Sequence, residues 1–160
     1  MNIFEIAIEM EIEGAAYYTK LANKTVNEGL KSIFTLLAAD ENKHQAIFEA
    51  FQADASLPTD ALATSELQIK DILATFKSDR PKEEESQLQA YESALEIELK
   101  SIEFYSEYAD TLKSGRESDI LDFIIKEERR HYDLLDSIIE MVKRPQTWVE
   151  NAEFGKRETY

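Results

Sequence analysis

Glu41-Asn42-Lys43-His44 and Glu128-Arg129-Arg130-His131 carry the chain's only two histidines, and both read Glu-x-x-His. They lie 87 residues apart, and the same step carries Glu11 onto Glu98, Tyr18 onto Tyr105 and Ala7 onto Ala94. Spacing i to i+3 puts a glutamate and a histidine on one face of a helix. At that offset only nine identities fall within residues 1–51, so the retention of Glu11, Glu41 and His44 is not a by-product of general similarity. Glutamate fills 23 of 160 positions. Two histidines with glutamate at −3 would then arise by chance roughly one time in fifty. The repeat predicts an all-α fold, a bundle of four helices built from two related hairpins.

Helical periodicity outside these stretches agrees. The first helix is expected over residues 3–24, with Asn2 and Glu5 as a capping-box pair. The second is expected over 28–53 behind an Asn27 cap. Pro58 breaks the chain, and residues 59–78 read as a crossover carrying a shorter helix over about 65–76. Pro81 is expected to open the third helix, with Glu83, Glu84 and Glu85 in its first turn at the positive end of the helix dipole. That helix should run to about Lys113 and stop at Gly115. The fourth is expected over 119–143, ahead of Pro145. The whole chain, 1–160, then reads as a single domain: hairpin 1–53, crossover 54–80, hairpin 81–143 and a short C-terminal tail, 144–160. The tail holds Trp148 and Phe154 and is expected to pack across the bundle or onto a partner subunit.

Each apolar stripe is interrupted by a glutamate near its middle. Phe4, Ala7, Glu11, Gly14, Tyr18 and Leu21 share one face of the first helix by i+3/i+4 spacing. Leu30, Phe34, Leu37, Glu41, His44, Phe48 and Phe51 share one face of the second. The third gives Tyr91, Ala94, Glu98, Ser101, Tyr105 and Tyr108, and the fourth Leu121, Ile124, Glu128, His131, Leu135 and Ile138. Glu9 and Glu96 also repeat, but they fall on the opposite face and read as solvated. An unpaired carboxylate in a core costs several kcal/mol even after relaxation. Four facing one another need a cation or protons. Counting about 1.5 Å per residue from the two turns puts all four at similar depth. Six candidate ligands therefore converge: Glu11, Glu41, His44, Glu98, Glu128 and His131. Hard carboxylate oxygen with imidazole nitrogen suits iron or manganese, with zinc as a substitute. The alternative is a set of salt-bridged structural side chains.

Supporting groups are also legible. Tyr18 and Tyr105 follow Glu11 and Glu98 by seven residues on the same face, placed either to donate to the carboxylates or to serve as ordinary core aromatics. A ligating histidine needs an acceptor for its other ring nitrogen. Asp40 and Glu127 each precede a candidate ligand and read either as acids that reach across to the opposite histidine or as ordinary surface acids.

Composition narrows the function classes. Net charge is −15, from 33 acidic and 18 basic residues, which repels phosphate backbones and argues against a nucleic-acid partner. No cysteine is present, so disulfides, thiolate zinc sites and iron–sulfur centres cannot be built from these residues. No stretch of about 20 apolar residues is present, and the first 22 residues lack the basic start and apolar core of a signal peptide. The expectation is a cytoplasmic protein without a membrane partner.

The pattern Glu, then Tyr seven residues on, then Glu-x-x-His some thirty residues after the first Glu, resembles the rubrerythrin family of the ferritin-like superfamily. It occurs at Glu11, Tyr18, Glu41 and His44, and again at Glu98, Tyr105, Glu128 and His131. The resemblance implies a ferritin-like four-helix bundle with a di-iron centre, Glu41 and Glu128 bridging and Glu11 and Glu98 terminal. It also implies reduction of hydrogen peroxide or dioxygen. Two departures stand out. Ser101 occupies the place of a further glutamate, with Gly14 as its counterpart in the first half. The cysteine-ligated rubredoxin domain is absent, so electrons are expected from a separate electron-transfer protein. Alternatives are a ferroxidase linked to iron storage and a non-enzymatic metal-binding helical module. The long crossover permits a homodimer, with or without swapped helices.

Overall fold

The computed structural model describes residues 2–76, 81 and 85–143, with the side chains of Glu85 and Ser86 excepted. These residues form five helices, and no strand occurs among them: α1 Ile3–Lys24, α2 Glu28–Gln52, α3 Glu66–Thr75, α4 Glu85–Asp110 and α5 Arg116–Lys143. The tail with Trp148 and Phe154, and Glu83 and Glu84, lie outside the described residues. No helix among the described residues is long and apolar enough to cross a membrane.

Side-chain caps start the first two helices. Asn2 Oδ1 accepts from the Glu5 amide at 2.9 Å and Asn2 Nδ2 donates to Glu5 Oε1 at 3.2 Å, closing the predicted capping box of α1. Asn27 Oδ1 accepts from the Leu30 amide at 2.9 Å and starts α2. Three boundaries differ from the sequence expectation. Pro81 is buried but non-helical, and the described part of α4 is Glu85–Asp110. α4 ends at Asp110, where tight turns from the Thr111 and Leu112 amides to the Tyr108 and Ala109 carbonyls close it early. Gly115 adopts φ 111, and its carbonyl accepts from the Asp119 amide at 3.0 Å. The glycine therefore opens α5 rather than closing α4. A side chain at that φ would be strained, so glycine suits the position.

The three residues between α1 and α2 force an antiparallel hairpin, and the short link 111–115 does the same for α4 and α5. α1 and α4 also run antiparallel. Tyr17 donates to the Ala90 carbonyl at 2.7 Å near one end, and the Phe4 and Tyr108 rings meet at 6.2 Å near the other. α2 and α5 are antiparallel by the same test, with Asp40 beside His131 and His44 beside Glu127. This is the ferritin-like bundle of two hairpins, with α3 returning along α2 from Asp40 to Gly29. At Gly29 a Cβ would come within 2.7 Å of the Phe76 ring, so glycine lets the end of the crossover seat.

Two apolar clusters fill the bundle. One gathers Tyr18, Leu30, Phe34, Leu37, Tyr91, Leu135 and Ile138. The other gathers Ala7, Ile47, Phe48, Tyr105, Leu121 and Ile124. Burying side chains of this size stabilises by about 1.5–3 kcal/mol each. Between the clusters lies a layer of buried acids and imidazoles.

Candidate metal centre

One side chain per turn places the layer. Glu11 projects from α1, Glu41 and His44 from α2, Glu98 from α4, and Glu128 and His131 from α5; none is more than 3 % exposed. Glu9 and Glu96 are exposed on the outer face. Helical geometry alone accounts for the separation, since two residues turn the side chain by about 200°.

The six residues fall into two overlapping groups whose ligand-capable atoms lie within 4.8 Å of one another. Glu11, Glu41, His44 and Glu128 make one group, and Glu41, Glu98, Glu128 and His131 the other. His44 Nδ1 stands 2.8 Å from Glu128, 3.5 Å from Glu11 and 3.8 Å from Glu41. His131 Nδ1 stands 3.0 Å from Glu41, 3.3 Å from Glu98 and 3.9 Å from Glu128. The two rings face each other with centroids 6.2 Å apart.

With Nδ1 and the carboxylates unprotonated, these short separations bring acceptor to acceptor rather than donor to acceptor. Glu11 Oε2, Glu41 Oε1, Glu98 Oε2, both Glu128 oxygens and both histidine Nδ1 atoms are buried without a hydrogen-bond partner. Buried polar atoms are almost always paired, so a cluster of orphans pointing inward requires an explanation. Lone pairs converging on a common centre are what a cation needs. The donor set fits iron: carboxylate oxygen and imidazole nitrogen, with charge enough to offset two divalent ions.

The outer atoms are fully engaged. His44 Nε2 meets Glu127 Oε1 at 3.0 Å, and His131 Nε2 meets Asp40 Oδ2 at 3.1 Å. Each acid thus comes from the helix opposite its histidine, and leaves Nδ1 as the inward lone pair when Nε2 carries the proton. The tyrosines cross in the same way. Tyr105 on α4 donates to Glu11 Oε1 at 2.6 Å, and Tyr18 on α1 donates to Glu98 Oε1.

Electrostatics point in the same direction. Burial, reinforced by the charges of Glu11 and Glu98, pushes the Glu41 carboxyl well above the usual range. Burial together with Glu41, Glu98 and Glu11 does the same to Glu128. Burial opposes charging of His44, but Glu11 and the acids bonded to it more than offset this and hold the imidazole well above its ordinary value. His131 is raised in the same way, against burial, by Glu98, Asp40 and Glu41. Without a metal these raised groups keep their protons to higher pH, and metal binding has to displace them.

Two contributions were not assigned by sequence reasoning. A Cβ on Gly14 would come within 3.0 Å of Glu41 Oε2, so this glycine gives the shared carboxylate its room. Ser65, on the crossover, donates to Asp40 Oδ2 at 2.6 Å. A small cavity of about 40 Å³ lies beside it, lined by Asp40, Ile69, Glu127, Arg130 and His131 among others. No local pattern marks Ser65, which lies 25 residues from its acceptor. Ser101 is buried on α4 at the position equivalent to Gly14.

The sequence matches the family model described as Rubrerythrin over residues 2–139. No curated protein and no solved structure matches it.

Proposed function

This chain belongs to the rubrerythrin family, and from that membership we propose a non-haem di-iron oxidoreductase that reduces hydrogen peroxide or dioxygen. The observation that carries the reading is the pair of buried ligand groups sharing Glu41 and Glu128. Glu11 and His44 would complete one metal position, and Glu98 and His131 the other. Iron bound there supplies the redox electrons for reducing an O–O bond.

The chain's own residues do the rest. Asp40 and Glu127 hold the histidine rings in the tautomer that turns Nδ1 inward. Tyr18 and Tyr105 fix one oxygen of Glu98 and Glu11, leaving the other free to face the centre. The apolar clusters on either side exclude bulk water and lower the local dielectric. The electron source in this proposal is a separate carrier protein, since these residues include no cysteine to hold one. The working form we propose is a homodimer, its helices swapped or not.

The test is an anaerobic mixing experiment. Iron-loaded, reduced protein is mixed with hydrogen peroxide in the presence of an artificial electron donor. The reading predicts rapid consumption with turnover. Slow oxidation with accumulating ferric mineral would replace it with iron storage, and inert iron would replace it with a structural metal site.

A further inference from the structure

Ser65 occupies the N-cap position of α3, where a serine oxygen ordinarily accepts a backbone amide of the first turn. It makes no such bond. The hydroxyl instead donates to Asp40 Oδ2 at 2.6 Å, the same oxygen that meets His131 Nε2 at 3.1 Å. Ser65 is 5 % exposed, and Asp40 is 2 % exposed with its Oδ1 unpartnered. With Oδ1 unanchored, the two donors on Oδ2 set the rotation of this carboxylate.

The crossover that carries Ser65 is itself pinned to both helices behind the site. Lys43 on α2 donates to the Ala63 carbonyl at 3.3 Å, and Arg130 on α5 pairs with Glu66 at 3.5 Å. Ile69 and Leu73 bury their side chains against the bundle. Among the described residues the arrangement has no counterpart in the other half. Glu127 meets His44 at 3.0 Å, and among the described residues no hydrogen bond reaches Glu127 from the crossover.

We propose that Ser65 is a positioning residue for the His131 half of the centre, acting through Asp40. By bracing one histidine and not the other, the crossover makes two metal positions related by the 87-residue repeat inequivalent. This rests on the reading of the six buried ligands as a two-metal site.

The experiment is an anaerobic titration of the full chain with cobalt(II), read by visible absorption. Ser65→Ala is combined with Glu11→Ala, which leaves the Glu98/His131 position whole, and separately with Glu98→Ala, which leaves the Glu11/His44 position whole. Loss of a group that orients a ligand typically weakens metal binding about 10–100-fold. A loss of at least about tenfold is expected in the Glu11→Ala background, with none in the Glu98→Ala background and recovery in Ser65→Thr. Equal losses in both backgrounds, or none in either, would overturn the proposal. If the parent chain takes up no cobalt, the two-metal reading falls and takes this one with it.

A second measurement needs no metal. In the metal-free protein, nitrogen-15 spectra follow the ring Nε2 protons. Ser65→Ala should speed solvent exchange at His131 and leave His44 unchanged. Unchanged exchange at His131 would equally overturn the assignment, whatever the cobalt titrations show.

Discussion

Gly14→Ala should stabilise the metal-free protein and weaken its hold on metal. Gly14 is buried in the interior of α1. Alanine is favoured over glycine in a helix interior by about 0.8–1 kcal/mol. The opposing term is the 3.0 Å approach of the new Cβ to Glu41 Oε2. Without metal, that oxygen is the free end of a side chain and can pivot away. The net effect is then a gain of about 0.5–1 kcal/mol, or roughly 1–4 °C in Tm for a chain of this size. On the proposed reading a metal pair would tie Glu41 to both positions, and its carboxylate would then have to shift by a few tenths of an ångström. A loss of about 1.4 kcal/mol in binding corresponds to tenfold in affinity. Paired calorimetric melts with and without iron(II), plus a binding titration, read both terms. If the variant gains equally in both states and its affinity is unchanged, Glu41 does not sit where the two metal positions meet.

Three further outcomes follow from the same geometry. Glu127→Ala frees His44 Nε2 from its acceptor at 3.0 Å and should weaken iron binding about 10–100-fold, checked by competition with a chelator. Tyr105→Phe removes the 2.6 Å donor to Glu11. It leaves a buried carboxylate oxygen unpaired and should destabilise the metal-free protein by about 1–3 kcal/mol in chemical denaturation. The third concerns pH. In the folded, metal-free protein burial and neighbouring acids raise the Glu41 and Glu128 carboxyls well above their ordinary 4.5, and the acids around both histidines, against burial, raise these well above 6.5. The folded state therefore holds more protons than the unfolded one in that window, and stability must fall as pH rises from 4.5 through the folded values. Asp40 and Glu98, both lowered, lose their contribution only below 3.8 and 4.5. Metal replaces those protons, so the rise in Tm on adding iron should grow with pH; a metal-free Tm that is flat or rising there would contradict this.

The interior of the bundle was legible because helical period and burial are tightly linked. All the residues named on the four stripes are buried except Phe4 and Phe51, which are half-buried beside Tyr108 and Phe48. The places of Asp40 and Glu127, one residue before Glu41 and Glu128, left them open between a crosswise reach and surface acids; burial and the contacts to His131 and His44 decide for the reach. Helix ends were harder. Gly115 looks like a stop by identity alone, yet its backbone bond to Asp119 makes it a start. Pro81 suits a first helical turn, but Pro81 itself is non-helical. Ser65 and the role of Gly14 depend on which elements meet in space. Ser65 acts because the crossover folds back over Asp40, and Gly14 because α2 presents Glu41 to α1. Neither contact has a period or a motif.

The central claim is that six buried side chains hold two metal ions, with Glu41 and Glu128 common to both. Anaerobic iron(II) stoichiometry, measured in the parent chain and in Glu11→Ala and Glu41→Ala, tests it most directly. The account predicts two ions per parent chain, loss of tight binding at one position in Glu11→Ala, and loss at both in Glu41→Ala. A parent chain that binds no iron, or a Glu41→Ala chain that keeps both ions with unchanged affinity, would contradict it.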